Sequence, residues 1–326
     1  MPATALLPNL KSVAFKHVLI ATDFSEASQR ALDFAIAIAR QYGSALSVVH
    51  AIPAEPHDRI PIGPLPRELD SRRLEAEEQM KRLGEETGIK DVRHCLLLER
   101  GDVWDVLAWE IQRESIDLLV LGTRGRGGLK KLALGSVAEE VLHLASCPVL
   151  TVGPNVPPAD SGAANFRRIL FATDFGPASN RAFPYALSLA EDYRAKLLLL
   201  HMVPPMPGAD LGPAAYGPSA YAAEEFTTWQ RTMRVESMKK LKELLPPKTK
   251  LAVEPEYLVG LDFLPEGILD AAAAHRIELI VMGVNRTSVP RVTAHMPWDL
   301  THEVLCHAKC PVLTLCSGGT ENSSGQ

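Results

Sequence analysis

Residues 21–31 read ATDFSEASQRA, and residues 172–182 read ATDFGPASNRA, 151 positions further along the chain. In both places a short apolar run precedes the repeated segment, and apolar residues at helical spacing follow it. The apolar run is typical of a buried strand, and the spacing is typical of an amphipathic helix. The chain therefore repeats one unit, which opens with a strand and a helix. We call the unit that contains 21–31 copy one and the unit that contains 172–182 copy two.

Strand and helix patterns alternate along the rest of each copy. Because the strands are nearly continuous apolar runs, we expect a mostly parallel sheet that is covered on both faces by helices. The predicted fold class is α/β, with two tandem open five-stranded sheets of Rossmann-like architecture. The predicted strands are 18–21, 45–50, 92–98, 118–121 and 148–152 in copy one, and 169–172, 197–201, 251–259, 279–282 and 311–315 in copy two.

Composition divides the chain into two domains. A length of 326 residues is typical of two domains rather than one. We expect one domain over 15–153 and the other over 166–316, joined by a flexible linker at 154–165 that is rich in Pro, Gly, Ala and Ser. Residues 204–221, of similar composition, are predicted to form a surface loop, and 317–326 a disordered tail. A charged helix is predicted over 74–86.

The bulk properties exclude several classes of protein. A formal charge of −5, from 34 basic and 39 acidic residues, does not provide the broad basic face that nucleic-acid binding requires. No apolar run approaches the length of a membrane span, so no membrane partner is expected. Five cysteines without a disulfide framework favour the reducing cytoplasm. Cys306 and Cys310 follow His302 at helical spacing, but the spacing fits no structural zinc pattern, and no metal site is predicted.

Copy one closes with Gly122-x2-Gly125-x9-Gly135-Ser136, between a predicted strand and a predicted helix. Glycine at 122 and 125 permits positive φ and close approach of a ligand to the backbone. Gly135 removes a side chain just before the helix, and Ser136 presents a hydroxyl and an N–H where the helix dipole favours an anion. The same residues also fit a plain turn followed by a capping box that starts at Ser136. The motif thus indicates a phosphate site or a turn with a cap.

Two further segments of copy one end predicted strands. Ligands of open α/β sheets bind beyond the carboxyl ends of the strands. Asp23 is therefore expected to accept a hydrogen bond from a ribose hydroxyl or an adenine amine, and the backbone at Ala51 to line a base site. The alternative for Asp23 is to act as N-cap of the next helix, which is the role expected of Asp174 in copy two. His50 is expected to be a structural hydrogen-bonding residue.

Copy two departs from the glycine motif. Gly283 matches Gly122, but Arg286 stands where the second glycine is expected, and Trp298-Asp299 replaces the Gly-Ser pair. A large side chain and a carboxylate would then occupy the position of the phosphates. Copy two is therefore predicted not to bind a nucleotide.

These segments together resemble the universal stress protein family in its tandem form, over about residues 15–153 and 166–316. The resemblance rests on five segments: Ala-Thr-Asp-Phe-Ser at 21–25, the strand end at 48–50, Gly101-Asp102, the glycine motif and Cys-Pro-Val-Leu-Thr at 147–151. The resemblance implies the fold of the adenine-nucleotide α-hydrolases and binding of ATP, with or without Mg²⁺. It also implies an intramolecular domain pair, with 148–152 against 311–315, and leaves a homodimer open. The residues that it implies for the nucleotide are Ala21, Thr22, Asp23, Ala51, Gly122, Arg124, Gly125, Gly135, Ser136 and Val137.

The predicted function is that of a cytoplasmic stress-response protein whose N-terminal domain binds ATP and whose occupancy regulates a protein partner that the sequence does not identify. Two alternatives stay open: a slow ATP-hydrolysing enzyme, and a nucleotide-independent chaperone or scaffold. The sequence contains no obvious general base for hydrolysis, and no catalytic residue is assigned.

Overall fold

The computed structural model describes residues 13–53, 67–123, 134–159, 164–203, 220–247, 249, 251–261, 264–284 and 298–316. These residues form two compact units. Unit 1 combines the described residues of 1–165 with those of 305–326, and unit 2 contains those of 166–304. No helix in the described part of the chain is long and apolar enough to cross a membrane.

Unit 1 alternates strands and helices as the sequence predicts. Its strands lie in the order β3-β2-β1-β4-β5-β10, and all neighbours are parallel except the pair β5 and β10. The elements are β1 (His17–Ala21), α1 (Glu26–Tyr42), β2 (Ala45–Ile52), α2 (Arg67–Glu85), α3 (Thr87–Lys90), β3 (His94–Arg100), α4 (Val103–Arg113), β4 (Leu118–Gly122), α5 (Ser136–Leu144), β5 (Val149–Val152) and β10 (Val312–Cys316).

Burial in unit 1 follows the apolar pattern. Leu19 and Ile20 are fully buried in β1, the strand that pairs with both β2 and β4. Helix α1 begins after its N-cap Ser25 and ends at Tyr42; its C-cap is Gly43, whose φ of 64° gives the left-handed conformation that glycine tolerates best. The helix buries one apolar stripe, so the first strand and helix of the repeat form the centre of the unit.

The described residues of unit 2 form four strands in the order β9-β6-β7-β8, in which β6 runs parallel to β7 and β9, and β7 runs parallel to β8. Helix α9 begins in this unit. The elements are β6 (Arg168–Ala172), α6 (Pro177–Asp192), β7 (Lys196–Met202), α7 (Ala220–Leu244), β8 (Glu256–Gly260), α8 (Leu264–Ala274), β9 (Leu279–Val284) and α9 (Trp298–His307). The mostly parallel α/β fold class is confirmed.

The last strand of the chain belongs to unit 1. Strand β10 runs antiparallel to β5, with Val312 opposite Thr151 and Thr314 opposite Val149. Each threonine donates a side-chain hydrogen bond to the opposite strand: Thr151 Oγ1 donates to the Val312 carbonyl at 3.1 Å, and Thr314 Oγ1 donates to the Val149 carbonyl at 3.2 Å. The pairing expected between 148–152 and 311–315 is therefore present. Each copy contributes five strands, but the fifth strand of copy two packs in unit 1.

Some predicted boundaries and properties differ from the structure. Strand β8 begins at Glu256 rather than at 251, because Pro255 has no N–H to donate to a strand ladder. Helix α2 begins seven residues earlier than predicted, at Arg67. Within the predicted linker, Val156 and Ala164 are buried. Residues 204–219 and the tail 317–326 lie outside the described residues; residues 220 and 221 are helical, not loop.

Candidate functional site

The strand order places the predicted ligand residues of copy one at one edge of the sheet. The chain runs from β1 outward through β2 to β3, then returns to the other side of β1 to form β4 and β5. The carboxyl ends of β1 and β4 therefore border a crevice at the point where the strand order reverses, which is where open α/β sheets bind ligands. Asp23 follows β1, Ala51 lies near the end of β2, and Gly122 ends β4. The structure thus brings these three residues to one edge.

A tight turn holds Asp23 at the crevice. The Thr22 N–H donates to the Val49 carbonyl at 2.9 Å, which extends the strand ladder to the turn. Phe24 then adopts a positive φ of 60°. Asp23 Oδ1 accepts the Ser25 N–H at 3.0 Å, and Ser25, not Asp23, is the N-cap of α1. The cap role considered for Asp23 is therefore wrong: its carboxylate closes a two-residue Asx turn, and the side chain remains half-buried at the end of β1.

His50 stabilises the same turn. Its Nδ1 lies 2.7 Å from the Thr22 carbonyl oxygen, and its ring lies 4.5 Å from the ring of Phe24. Since a carbonyl can only accept, Nδ1 carries the proton. His201 makes the same contact with the Thr173 carbonyl at 2.7 Å. A contact that occurs in both copies belongs to the loop architecture, so the structural interpretation of His50 agrees with the geometry.

Gly122 meets a packing requirement that is independent of any ligand. A Cβ at this position would lie 2.9 Å from both the carbonyl carbon and the oxygen of Ala27, at the start of α1. That backbone cannot move without displacing the helix. Gly283 makes an even closer approach to Ala178 in copy two. In both copies the glycine admits the helix that follows the first strand, α1 or α6, and the close approach of a ligand to Gly122 stays a prediction.

The second half of the motif forms the start of α5. Gly135 is the N-cap, its N–H donates to the Thr123 carbonyl at 2.8 Å, and Ser136 is the first helical residue. Because the cap residue is glycine, it provides no side-chain acceptor for the first-turn N–H groups. The capping box expected to start at Ser136 is thus wrong. Ser136 is exposed and Val137 half-buried in the first turn, whereas Arg124 and Gly125 lie outside the described residues.

Thr123 is a polar residue that the sequence analysis did not single out. It is 2% exposed, and its hydroxyl has no hydrogen-bond partner within the described residues. Its N–H donates to the Val152 carbonyl at 3.1 Å, which fixes the backbone between β4 and the glycine motif. A buried hydroxyl without a partner is unfavourable, so this position calls for a water or a ligand group. No local pattern distinguishes this threonine from others in the chain.

Comparison with known proteins defines the family. The model of the universal stress protein family matches residues 14–153 and again residues 165–315. The chain belongs to the universal stress protein family. A universal stress protein of Methanocaldococcus jannaschii is 32% identical to this chain over 142 residues, about the length of one copy. The alignment covers 42% of this chain and 82% of the relative. A universal stress protein of Thermus aquaticus is 37% identical to this chain over 139 residues, and that alignment covers 42% of this chain and 98% of the relative.

A solved structure extends this similarity to the whole chain. The crystal structure of a universal stress protein from Archaeoglobus fulgidus matches 93% of this chain and 98% of its own, with a TM-score of 0.62. The sequences are 19% identical, so this likeness concerns the fold.

The second universal stress protein copy uses its aspartate differently. Asp174 Oδ1 accepts the Gly176 N–H at 2.8 Å and the Ser179 hydroxyl at 2.6 Å. Gly176, not Asp174, is the N-cap of α6, so the predicted position of the cap is wrong. A Cβ at Gly176 would lie 2.8 Å from Asp174 Oδ2, and its absence lets the carboxylate fold over the helix start. The Ser179 hydroxyl also lies 3.0 Å from the Gly176 carbonyl oxygen, and the equivalent Ser28 hydroxyl of copy one donates to the Ser25 carbonyl at 2.9 Å.

The end of the second strand also differs between the copies. Met202 occupies the position of Ala51, is 6% exposed, and packs against the backbone of Gly260. The longer methionine side chain therefore packs on β8 in copy two, at the position where copy one has the small Ala51. Arg286 lies outside the described residues. Trp298 and Asp299 begin α9, and their side chains are also outside the described part.

Proposed function

We propose that copy one binds ATP and that the protein is a cytoplasmic, nucleotide-dependent regulatory module of the stress response. The supporting observation is the convergence, at the point where the strand order reverses, of Asp23, the small Ala51 and a helix start without a side-chain cap at Gly135. The resemblance of the glycine motif to the ATP-binding form of the family supports the same assignment.

Each residue has a role that its chemistry allows. The Asp23 carboxylate accepts a ribose hydroxyl or the adenine amine, because an ionised carboxylate is an acceptor only. The first-turn N–H groups of α5, with the Ser136 hydroxyl, hold the phosphates, because the positive end of the helix dipole points at them. Arg124 offsets phosphate charge. No cluster of three or more metal-ligating side chains occurs among the described residues, and whether Mg²⁺ accompanies the ATP stays open.

The two aspartates provide a matched test, because they occupy equivalent positions in turns of the same shape. Titration calorimetry of ATP into the full chain should give about one site per chain. Asp23→Ala should weaken binding by about 1–3 kcal/mol, the scale of a hydrogen bond to a charged group. Asp174→Ala should leave the ATP affinity unchanged and lower only the free energy of unfolding, because its carboxylate serves Gly176 and Ser179.

Equal losses of affinity in the two variants, or two equivalent sites per chain, would contradict the assignment to copy one. Absence of ATP binding would favour the nucleotide-independent chaperone or scaffold. If the unmodified chain hydrolyses labelled ATP, and Asp23→Ala loses both hydrolysis and binding, the hydrolytic alternative is established.

A further inference from the structure

Copy two contains a cavity of about 100 Å³ at the carboxyl ends of β6, β7 and β9, where α8 and α9 also contribute to its wall. Most of the wall is apolar. We propose that this cavity binds a small, uncharged molecule with an apolar body and one hydrogen-bond donor. The apolar side chains of the wall are Leu200, Met202, Leu264, Ile268, Met282 and Leu300.

The size of the cavity sets the scale of the occupant. The volume of about 100 Å³ is several times the roughly 30 Å³ that a water molecule occupies in the liquid. It approaches the roughly 150 Å³ of an apolar protein cavity that accepts benzene. Met202 forms part of the wall at the place where copy one has Ala51. One ring or a short branched chain therefore fits, and a nucleoside does not.

The polar groups at the cavity select the charge of the occupant. Asp174 is exposed and is the one charged side chain among the described residues that line the cavity. Its Oδ1 already accepts two hydrogen bonds, and no partner of Oδ2 lies within the described residues. A carboxylate accepts and does not donate, so it attracts a hydroxyl or N–H and repels an anion.

A second polar group lies deeper. Thr301, in α9, is 3% exposed, and its hydroxyl makes no hydrogen bond to the described part of the chain. A hydroxyl that lines the cavity can donate to or accept from an occupant. Asp174 at the mouth and Thr301 within therefore provide two polar contacts for one small molecule. This inference concerns copy two and does not depend on ATP binding by copy one.

The probe for this site is phenol, which combines one ring with one hydroxyl. Benzoate serves as the matched anion. The chain contains eight methionines, of which Met202 and Met282 line the cavity. Methyl NMR of the full chain with labelled methionine should show these two signals shifting with phenol at millimolar concentration, while the other methionine signals stay in place. Benzoate should cause no such shifts. The proposal is overturned if phenol leaves both signals unchanged or if benzoate moves them equally.

Two variants locate the site and test its size. Thr301→Phe should fill the cavity and weaken phenol binding at least tenfold, whereas Thr232→Phe, on the exposed side of α7, should have no effect. Met202→Ala should enlarge the cavity, so that indole binds at least tenfold more tightly than to the unmodified chain. Undiminished phenol binding in a folded Thr301→Phe variant, or unchanged indole affinity in Met202→Ala, would refute the assignment. The methionine signals of the unmodified chain decide the question if Thr301→Phe does not fold.

Discussion

Replacing Ala51 with methionine should fill the proposed base site of copy one with a side chain like that of Met202 in copy two. Ala51 is half-buried, whereas Met202, its counterpart, is 6% exposed and packs so closely on Gly260 that no Cβ fits there. In the strand pairing, Ala51 lies opposite Glu99 on β3, whereas Met202 lies opposite Gly260 on β8, so a methionine at 51 does not find the glycine on which Met202 packs. Because Ala51 is half-buried at the end of β2, the new side chain should extend into the space assigned to adenine.

The expected loss of affinity follows from overpacking. Extra methylenes forced into a filled space cost about 1–3 kcal/mol. At 1.4 kcal/mol for each factor of ten, ATP should bind about 5- to 150-fold more weakly to Ala51→Met. Titration calorimetry with ATP measures this loss, and the same titration with inorganic triphosphate, which lacks the base, should be unchanged.

The reciprocal variant is the control. Met202→Ala lies in the other copy and should leave the ATP affinity of copy one unchanged. If Ala51→Met, folded by circular dichroism, binds ATP as tightly as the unmodified chain, the base does not lie beside Ala51 and the proposed geometry is wrong. An equal loss with triphosphate would show that the effect is not due to the base.

Two further outcomes are expected. Gly122→Ala should lower the free energy of unfolding by about 1–3 kcal/mol, because the new Cβ would meet the Ala27 backbone at 2.9 Å. Chemical denaturation measures this loss. An unchanged free energy of unfolding would show that the start of α1 can move to make room. Burial, aided by the nearby Lys240, holds the pKa of His201 below its ordinary value. The His201 ring therefore binds a proton less readily in the folded protein than in the unfolded chain. The folded state should lose stability as the pH falls below about 6.5, the ordinary pKa of histidine. An NMR titration should give His201 a pKa under 6.5, and His201→Asn should flatten that part of the stability profile; a higher pKa would contradict the role of burial.

Local patterns predicted most elements but not their limits. Helix α4 begins directly after Asp102, because the Asp102 side chain caps it, and its apolar spacing is regular. The start of β8 was predicted wrongly because apolar content at 251–253 suggested a longer strand, whereas Pro255 prevents it. Asp102 and Pro255 act through their immediate neighbours, so their effects can be found in the sequence.

The candidate site could be predicted only in part. Asp23, Ala51 and Gly135 were identified because each ends a strand or begins a helix, and the strand order brings strand ends together. The roles of Gly122 and Thr123 could not be predicted, since one depends on the approach of α1 and the other on the absence of a partner for a buried hydroxyl. Both are properties of contacts between distant segments.

The sequence by itself determined the repeated unit, the alternation of strands and helices and the loss of the glycine motif from copy two, because all three are patterns of neighbouring or repeated residues. The tertiary structure decided how each copy uses its equivalent residues. Asp174 accepts hydrogen bonds from Gly176 and Ser179 at the start of α6, because Gly176 has no side chain to block it, and Met202 packs on Gly260 at the position where copy one has Ala51. The same structure placed β10 beside β5, in the unit of the other copy. These differences arise where side chains from separate strands and helices compete for one volume, and that competition exists only in the folded chain.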